Sequence, residues 1–373
     1  WTLPLRLKSS SSTSNILRIM TTTPSQKLYT GVVPVVGEEQ KPRIFTGRSS
    51  VPAARTEQIQ RLYKIPEFMR TAAETWVSEG GEDAGGACSL RQAASVIFVR
   101  DGEDGLETIL TYRPGSSPLG VVAFPGGTVT PGDDDATPWY GPTPDEWSAK
   151  FKFKNVTCAR RTVIAAIRES FEETGLLLAG EDGQNVAESG AGEEQMSQRE
   201  AIADQDKSFG QFLTSCGLKL RTDLLRPVSR WQSPDFFHKR YDIAYFTTVV
   251  PVGQNAKLLE GKGVWGSWVN VRTLMESKDT SELGDRIGQP NTVGKTLEEL
   301  VTPAVMCMLE SLAASETGVS WLAKRRTVEV KKPVLVKNDG AYMLSFTEVV
   351  PVSSKTGTLG TVGPLRSTSV TPS

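Results

Sequence analysis

The sequence predicts an α/β protein with helices packed on a mixed sheet. Two kinds of segment point there. Runs at 94–100, 107–112 and 241–250 are dominated by β-branched and aromatic residues and have strand character, and 225–231 is read as a strand with them. Between them, 159–174 carries Val163, Ile164, Ala166, Ile167 and Phe171 at a spacing that buries one helical face. A chain of 373 residues has room for one large domain or two modest ones, and no internal repeat is visible.

Taken in order, 57–79 is expected to be a helix. Strands 94–100 and 107–112 join across Asp101-Gly102-Glu103-Asp104-Gly105, a hairpin-like turn. A short strand, 121–124, ends abruptly in Pro125-Gly126-Gly127. Paired glycines let a ligand approach the main chain closely, although a plain tight loop has the same composition. The helix 159–174 stops at Gly175, a residue suited to a helix end. Segment 181–206, rich in Gly, Glu, Gln and Ala, is expected as a mobile connection or a weak helix, followed by a helix at 209–216. Strands 225–231, 241–250 and 265–269 come next, then helices 271–275 and 296–314. A last hairpin spans 327–336 and 341–346 around Lys337-Asn338-Asp339-Gly340.

The ends differ from the middle. Residues 1–30 are rich in Ser, Thr, Leu and Arg, and no acid precedes Glu38. A basic, acid-poor start of this kind resembles a transit peptide. The competing reading, preferred because Trp1 stands first, places the true start at Met20. Residues 353–373 are Ser, Thr, Gly and Pro with few large apolar side chains, the composition of a flexible tail.

Charge and composition exclude several classes. Lys plus Arg is 42 and Asp plus Glu is 43, a net charge of −1, so bulk nucleic-acid binding is not expected. No apolar run approaches the roughly 18 residues of a membrane span. Cys88, Cys158, Cys216 and Cys307 are far apart and lack metal-type spacing, which fits free thiols in a reducing cytoplasm. His238 is the single histidine, so a His-based triad or zinc site is not expected and the chemistry must run on carboxylates.

The densest chemistry lies in Arg168-Glu169-Ser170-Phe171-Glu172-Glu173-Thr174-Gly175-Leu176. On a helix, Glu169, Glu172 and Glu173 share a side, and Arg168 sits one turn before Glu172. Three crowded carboxylates repel one another unless a cation lies among them. Hard divalent ions favour such oxygen ligands and share them with substrate phosphates. A solvated Glu-rich helix face is the plain alternative. Against it stands the upstream Pro-Gly-Gly turn, because the two strings together are more specific than either.

Together they resemble the Nudix hydrolase family, whose motif runs glycine, five residues, an acid, seven residues, then Arg-Glu-apolar-x-Glu-Glu-x-Gly-apolar. Gly127 plus five residues reaches Asp133, and Arg168, Glu169, Glu172, Glu173, Gly175 and Leu176 match the second half. There are three departures. Asp133 replaces the usual Glu, Ser170 takes an apolar position, and 34 residues (134–167) stand where the motif has seven. The extra segment, with Pro138, Pro142 and Pro144 and the aromatics Trp139, Tyr140 and Trp147, suits a surface excursion. An insertion here is similar to the acyl-coenzyme A diphosphatase branch. So are Ile109-Leu110-Thr111-Tyr112-Arg113, Arg230-Trp231-Gln232-Ser233-Pro234, Lys239-Arg240-Tyr241-Asp242, Glu260-Gly261 and Trp268.

The resemblance implies an α/β/α sandwich and a division into five parts. These are an extension (1–50), a helical lead-in (51–90), a Nudix domain (91–325, insertion at 134–157), a C-terminal β-hairpin (326–352) and a tail (353–373). It implies Mg²⁺ or Mn²⁺ on Glu169, Glu172, Glu173 and the Gly126 carbonyl. Glu169 is the candidate base with Glu260 as a second, Glu172 is placed with it as catalytic, and Arg168 orients the acids. Arg113, Gly127, Trp231 and Arg240 are candidate substrate contacts, and Phe236 and Phe237 candidate pocket walls. Each has an ordinary alternative as a surface ion pair or core aromatic. The implied partner is a nucleotide-type small molecule, with no nucleic acid and no membrane. The expected reaction hydrolyses a phosphoanhydride in coenzyme A or acyl-coenzyme A. ADP-ribose or another nucleotide, or a non-catalytic nucleotide sensor, are the alternatives.

Overall fold

In a computed structural model, residues 56–81, 89–114, 119–135, 137–188, 193–259 and 264–351 are described. The extension at 1–50, the tail at 353–373, Cys88 and Glu260 lie outside the described residues. The chain enters as strand β1 (Thr56–Lys64) and helix α1 (Glu67–Ser78). Strands β2 (Arg91–Gly102) and β3 (Gly105–Tyr112) form a hairpin, followed by β4 (Val122–Ala123) and β5 (Gly126–Thr128). Strand β6 (Trp139–Tyr140) and helix α2 (Pro144–Phe151) precede the long α3 (Val156–Thr174). Then come β7 (Ala179–Gly180), α4 (Glu193–Ala203), α5 (Phe209–Ser215) and β8 (Lys219–Arg221). Strands β9 (Arg226–Gln232), β10 (Tyr241–Val249) and β11 (Gly266–Asn270) lead to helices α6 (Val271–Glu276) and α7 (Glu282–Ile287). Helices α8 (Leu297–Leu300), α9 (Pro303–Ala313) and α10 (Gly318–Ala323) and strands β12 (Val330–Lys331), β13 (Val334–Asn338) and β14 (Ala341–Pro351) follow.

The main sheet has the order β11-β3-β2-β10-β9-β12, with β4 on β3 and β5 on β2. It is mixed: β10 runs parallel to β2, and β12 parallel to β9, while β3 and β9 pair antiparallel with their neighbours β2 and β10. On one face Tyr241, Ile243 and Tyr245 join Val271, Leu283, Val305 and Leu309 of α6, α7 and α9. On the other, Ala244 and Phe246 join Trp147, Val163, Ile167 and Phe212 of α2, α3 and α5. This is the expected α/β/α sandwich. With both faces covered, β2 buries seven consecutive residues, which is why it reads as an unbroken apolar run and not an alternating one.

Three expectations are corrected. The expected helix over 57–79 is a strand followed by a shorter helix. β1 pairs antiparallel along its whole length with β14, and Tyr63 stacks on Phe346 at 5.6 Å. The partner lies nearly the whole chain away, so local periodicity carries no sign of it. The insertion is not a surface excursion. Trp147 and Phe151 are fully buried, Trp147 lies edge-on to Phe246 at 5.6 Å, and Arg230 donates to the Phe151 carbonyl at 2.9 Å. Aromatic side chains of this size gain too much from burial to remain in solvent. The expected helix over 296–314 breaks between α8 and α9. Pro303 cannot donate a helical hydrogen bond, and the Thr302 hydroxyl accepts from Val305 N at 3.3 Å as the new N-cap. Of the two alternatives for 181–206, the described residues take the helical one in α4, whose Arg199 is 2% exposed.

Candidate functional site

Helix α3 delivers the acids. The Asn155 side chain accepts from Cys158 N at its start, and Gly175 ends it in the left-handed conformation with its N–H on the Phe171 carbonyl at 2.9 Å. Ser170, where the motif has an apolar residue, is fully buried and donates to the Ala166 carbonyl at 2.7 Å, so its hydroxyl is satisfied within the helix. A helix C-terminus repels nearby carboxylates. Arg199 of α4 offsets this by donating to the carbonyls of Phe171 (2.9 Å) and Glu172 (3.1 Å).

The Pro-Gly-Gly turn meets α3 directly. The Ser95 hydroxyl and Val96 N both donate to the Pro125 carbonyl, at 2.9 and 2.8 Å, which fixes the turn against β2. Gly126 N donates to Glu173 Oε2 at 3.2 Å. A Cβ on Gly127 would lie 2.3 Å from Glu169 Oε2, and one on Gly126 would lie 2.2 Å from the Ala94 carbonyl oxygen. Backbone therefore restricts the Gly126 position to glycine, whereas a side chain at Gly127 would have to displace the Glu169 carboxylate.

Two guanidinium groups hold the acids. Arg168, 7% exposed, donates to both oxygens of the fully buried Asp133 at 2.8 and 3.1 Å. It also donates to Glu169 at 3.0 Å, Glu172 at 2.9 Å and the Thr128 carbonyl at 2.9 Å. Arg113 Nη2 donates to the Gly126 carbonyl at 2.6 Å and to Glu173 Oε2 at 2.7 Å. Burial pushes Glu169 up to about 7 and works against the pull of Arg168, with Glu172 and Glu173 adding to the rise. Burial also raises Glu173, opposed by Arg113. Burial works against the charge on Arg168, and the facing Glu169 and Asp133 outweigh it, raising its affinity for the proton above the ordinary value.

Glu169, Glu172 and Glu173 border a cavity of about 240 Å³, which Tyr112, Leu258 and Trp265 also line. Among the described residues, no set of three or more His, Cys, Asp and Glu is arranged to hold a metal ion; the acids turn toward Arg168 and Arg113 instead. The structure thus brings together Arg113, Gly126, Gly127, Asp133, Arg168, Glu169, Glu172 and Glu173. It does not bring Trp231 or Arg240 to them. Arg240 precedes β10 and pairs with Asp235 at 2.6 Å, so it does not share a strand face with Asp242. Asp242 instead takes a bidentate bond from Arg230, at 2.7 and 2.5 Å, which ties β9 to β10. Trp231 and Phe237 line a separate cavity, and Phe236 is buried against α1. Sequence reasoning missed Arg199, Ser95 and Trp265. Ser95 and Arg199 act on backbone carbonyls of distant segments, a role with no motif.

No protein-family model matches the chain, and no curated protein matches it in sequence. Among solved structures the chain is similar to a NUDIX hydrolase from Alicyclobacillus acidocaldarius, with 20% identity over 65% of this chain and 99% of that one, at a TM-score of 0.47. It is also similar to a C. elegans Ap4A hydrolase (14% identity, 53% and 93% covered, TM-score 0.25). A third likeness is to the NUDIX domain of Shewanella oneidensis NrtR complexed with ADP ribose (9% identity, 54% and 86% covered, TM-score 0.27). These values are too low to carry chemistry from one chain to another.

Proposed function

We propose that the chain is a Nudix-type hydrolase that cleaves the phosphoanhydride of a nucleoside diphosphate derivative, with coenzyme A or acyl-coenzyme A as the favoured substrate. What supports this most is the meeting of Glu169, Glu172 and Glu173 with the Gly126–Gly127 turn, across an insertion that separates them in sequence. The chemistry of the donors suits a hard divalent ion, since all are oxygens, although they now face Arg168 and Arg113; the Gly126 carbonyl and Glu173 share one cationic partner in Arg113. Glu169, Glu172, Glu173 and the Gly126 carbonyl would hold Mg²⁺ or Mn²⁺. Such an ion, when bound, neutralises the diphosphate oxygens and makes water more acidic.

The chain's own residues supply the rest. Glu169 is held by Arg168 and, as a carboxylate, can take a proton from the attacking water. Asp133 and Arg168 fix the acids in register. Arg113 is placed to pass from Glu173 to a substrate phosphate, since a guanidinium suits either anion.

A substrate panel of coenzyme A, acyl-coenzyme A, ADP-ribose and dinucleotides, with Mg²⁺ or Mn²⁺ and products identified by mass, tests the reading. Adenosine 3′,5′-bisphosphate and a phosphopantetheine are the expected products. ADP-ribose cleavage without coenzyme A cleavage would reject the favoured substrate, and nucleotide binding without turnover would assign a sensor. Glu172→Gln removes charge but little volume and should lower turnover by orders of magnitude with the fold intact. Equal rates would rule out the metal assignment.

A further inference from the structure

A second cavity, about 560 Å³, opens on the face of the sheet opposite α3. Its volume falls within the roughly 300–1,000 Å³ typical of sites that enclose a small molecule. Phe68 and Met69 of α1, Trp231 of β9, Ile243 and Tyr245 of β10, and Leu344 of β14 form its walls. The mouth carries His238 and Lys239, both exposed. The walls are apolar, yet Trp231 is only 3% exposed and its indole Nε1 has no hydrogen-bond partner among the described residues. A buried donor in that position calls for an acceptor brought by something else. Two buried donors unpartnered among the described residues, the Trp231 indole N–H and the Tyr245 hydroxyl, on largely apolar walls suit a hydrocarbon chain bearing a carbonyl. They do not suit a nucleobase, which presents several polar edges, or a phosphate, which needs cations.

The cavity adjoins the acid site. The Tyr245 hydroxyl, buried and without a hydrogen-bond partner among the described residues, lies beside Thr302 and close enough to Arg113 to feel that charge. Gly120, at φ +106°, forms a bridge to Val301 and packs against Thr302 and Phe68, where an added Cβ would lie 3.1 Å from the Thr302 methyl. From Gly120 the chain runs straight into the Pro-Gly-Gly turn. One face of this segment therefore borders the cavity while its end borders the carboxylates.

We propose that this cavity holds the linear acyl chain of an acyl-coenzyme A whose diphosphate lies at Arg113. This rests on the hydrolase reading above and adds to it the location of the chain and the class of substrate. The chamber is closed over β9 and β10 by α1 and β14, which stand outside the main sheet, so the segments flanking the sandwich help set the preference for acylated substrate.

The test uses the full chain carrying Glu172→Gln, so that ligand is bound and not consumed. Calorimetric titration compares dodecanoyl-coenzyme A, coenzyme A and free dodecanoate, all below their micelle concentrations. Dodecanoyl-coenzyme A should bind at least about tenfold more tightly than coenzyme A, because each buried methylene adds several-fold. Ala72→Trp, which narrows the cavity from the surface helix α1, should remove most of that gain. Trp231→Phe, which keeps the ring and deletes the N–H, should remove part of it. Equal affinity for dodecanoyl-coenzyme A and coenzyme A overturns the proposal, as does a gain that survives both substitutions. Dodecanoate binding as tightly as its thioester would assign the cavity to a free fatty acid and overturn the substrate assignment. If Ala72→Trp fails to fold, the comparison in the unaltered cavity and Trp231→Phe decide the matter. Failure of the hydrolase reading appears separately, as absence of turnover by the wild type on the substrate panel.

Discussion

Arg168→Gln is the sharpest probe of how the site is held. The guanidinium is 7% exposed, and its main partner Asp133 is fully buried. The substitution leaves that carboxylate with the Thr130 N–H (2.8 Å) and the Thr130 hydroxyl, but without its cation. It also leaves Glu169 and Glu172 facing each other without the shared donor. Breaking a buried pair by removing one partner costs about 3–5 kcal/mol, whereas an exposed pair is worth about 0–1 kcal/mol. For a domain of this size each kcal/mol moves the melting temperature by about 2–4 °C, so a fall of about 6–20 °C is expected. Urea denaturation of Arg168→Gln, Asp133→Asn and the double variant gives the coupling directly. The double variant should regain about 1–3 kcal/mol relative to additivity, since an amide in place of the Asp133 carboxylate has no charge to strand. A loss below about 1 kcal/mol for Arg168→Gln, or strict additivity, would refute the view that this pair anchors the acid cluster. Mn²⁺ should stabilise Arg168→Gln more than the wild type, because fewer cations then remain among the carboxylates.

Other outcomes follow from the same geometry. In metal-free protein the folded Glu169 sits at about 7 against its ordinary 4.5, so the folded state holds the proton more tightly between those values. Stability should therefore fall by up to a few kcal/mol as pH rises through that window, and Glu169→Gln should flatten the slope in urea titrations at about pH 5 and 7.5. Gly127→Ala places a methyl against the Glu169 carboxylate and should weaken Mn²⁺ binding by at least about tenfold in calorimetry; unchanged affinity would show that Glu169 is not a ligand. Arg113→Gln should lower the metal-free melting temperature yet enlarge the rise produced by Mn²⁺, because Glu173 and the Gly126 carbonyl lose a competing cation. An unchanged rise would mean that Arg113 and the ion do not compete.

The parts legible in the sequence are those whose cause is local. Helix α3 shows its apolar face and its stop at Gly175, and β2 shows an apolar run that only burial on both faces explains. The convergence of Glu169, Glu172 and Glu173 is likewise a property of helical spacing. What was hidden depends on partners far along the chain. Thr56–Lys64 has charged and polar residues that look helical until β14 is laid beside them. Trp147 and its neighbours read as an excursion because prolines and acids surround them, although Trp147 and Phe151 both find core positions. Period-two spacing puts Arg240 and Asp242 on one strand face, but Arg240 precedes β10 and each belongs to a different ion pair. Within the Nudix-like motif the long insertion was the feature least consistent with a working site. Its helix α2 instead packs beside α3 and leaves the acids in place.

The pairing of β1 with β14 has a bearing on synthesis. Thr56 meets Pro351 and Lys64 meets Met343, so the earliest described strand cannot close its ladder until Pro351 has left the ribosome. Met69 and Leu344, the latter paired with Tyr63 in that ladder, come into contact only then. The sandwich and its carboxylates can assemble while translation continues, but the chamber beside them is finished last.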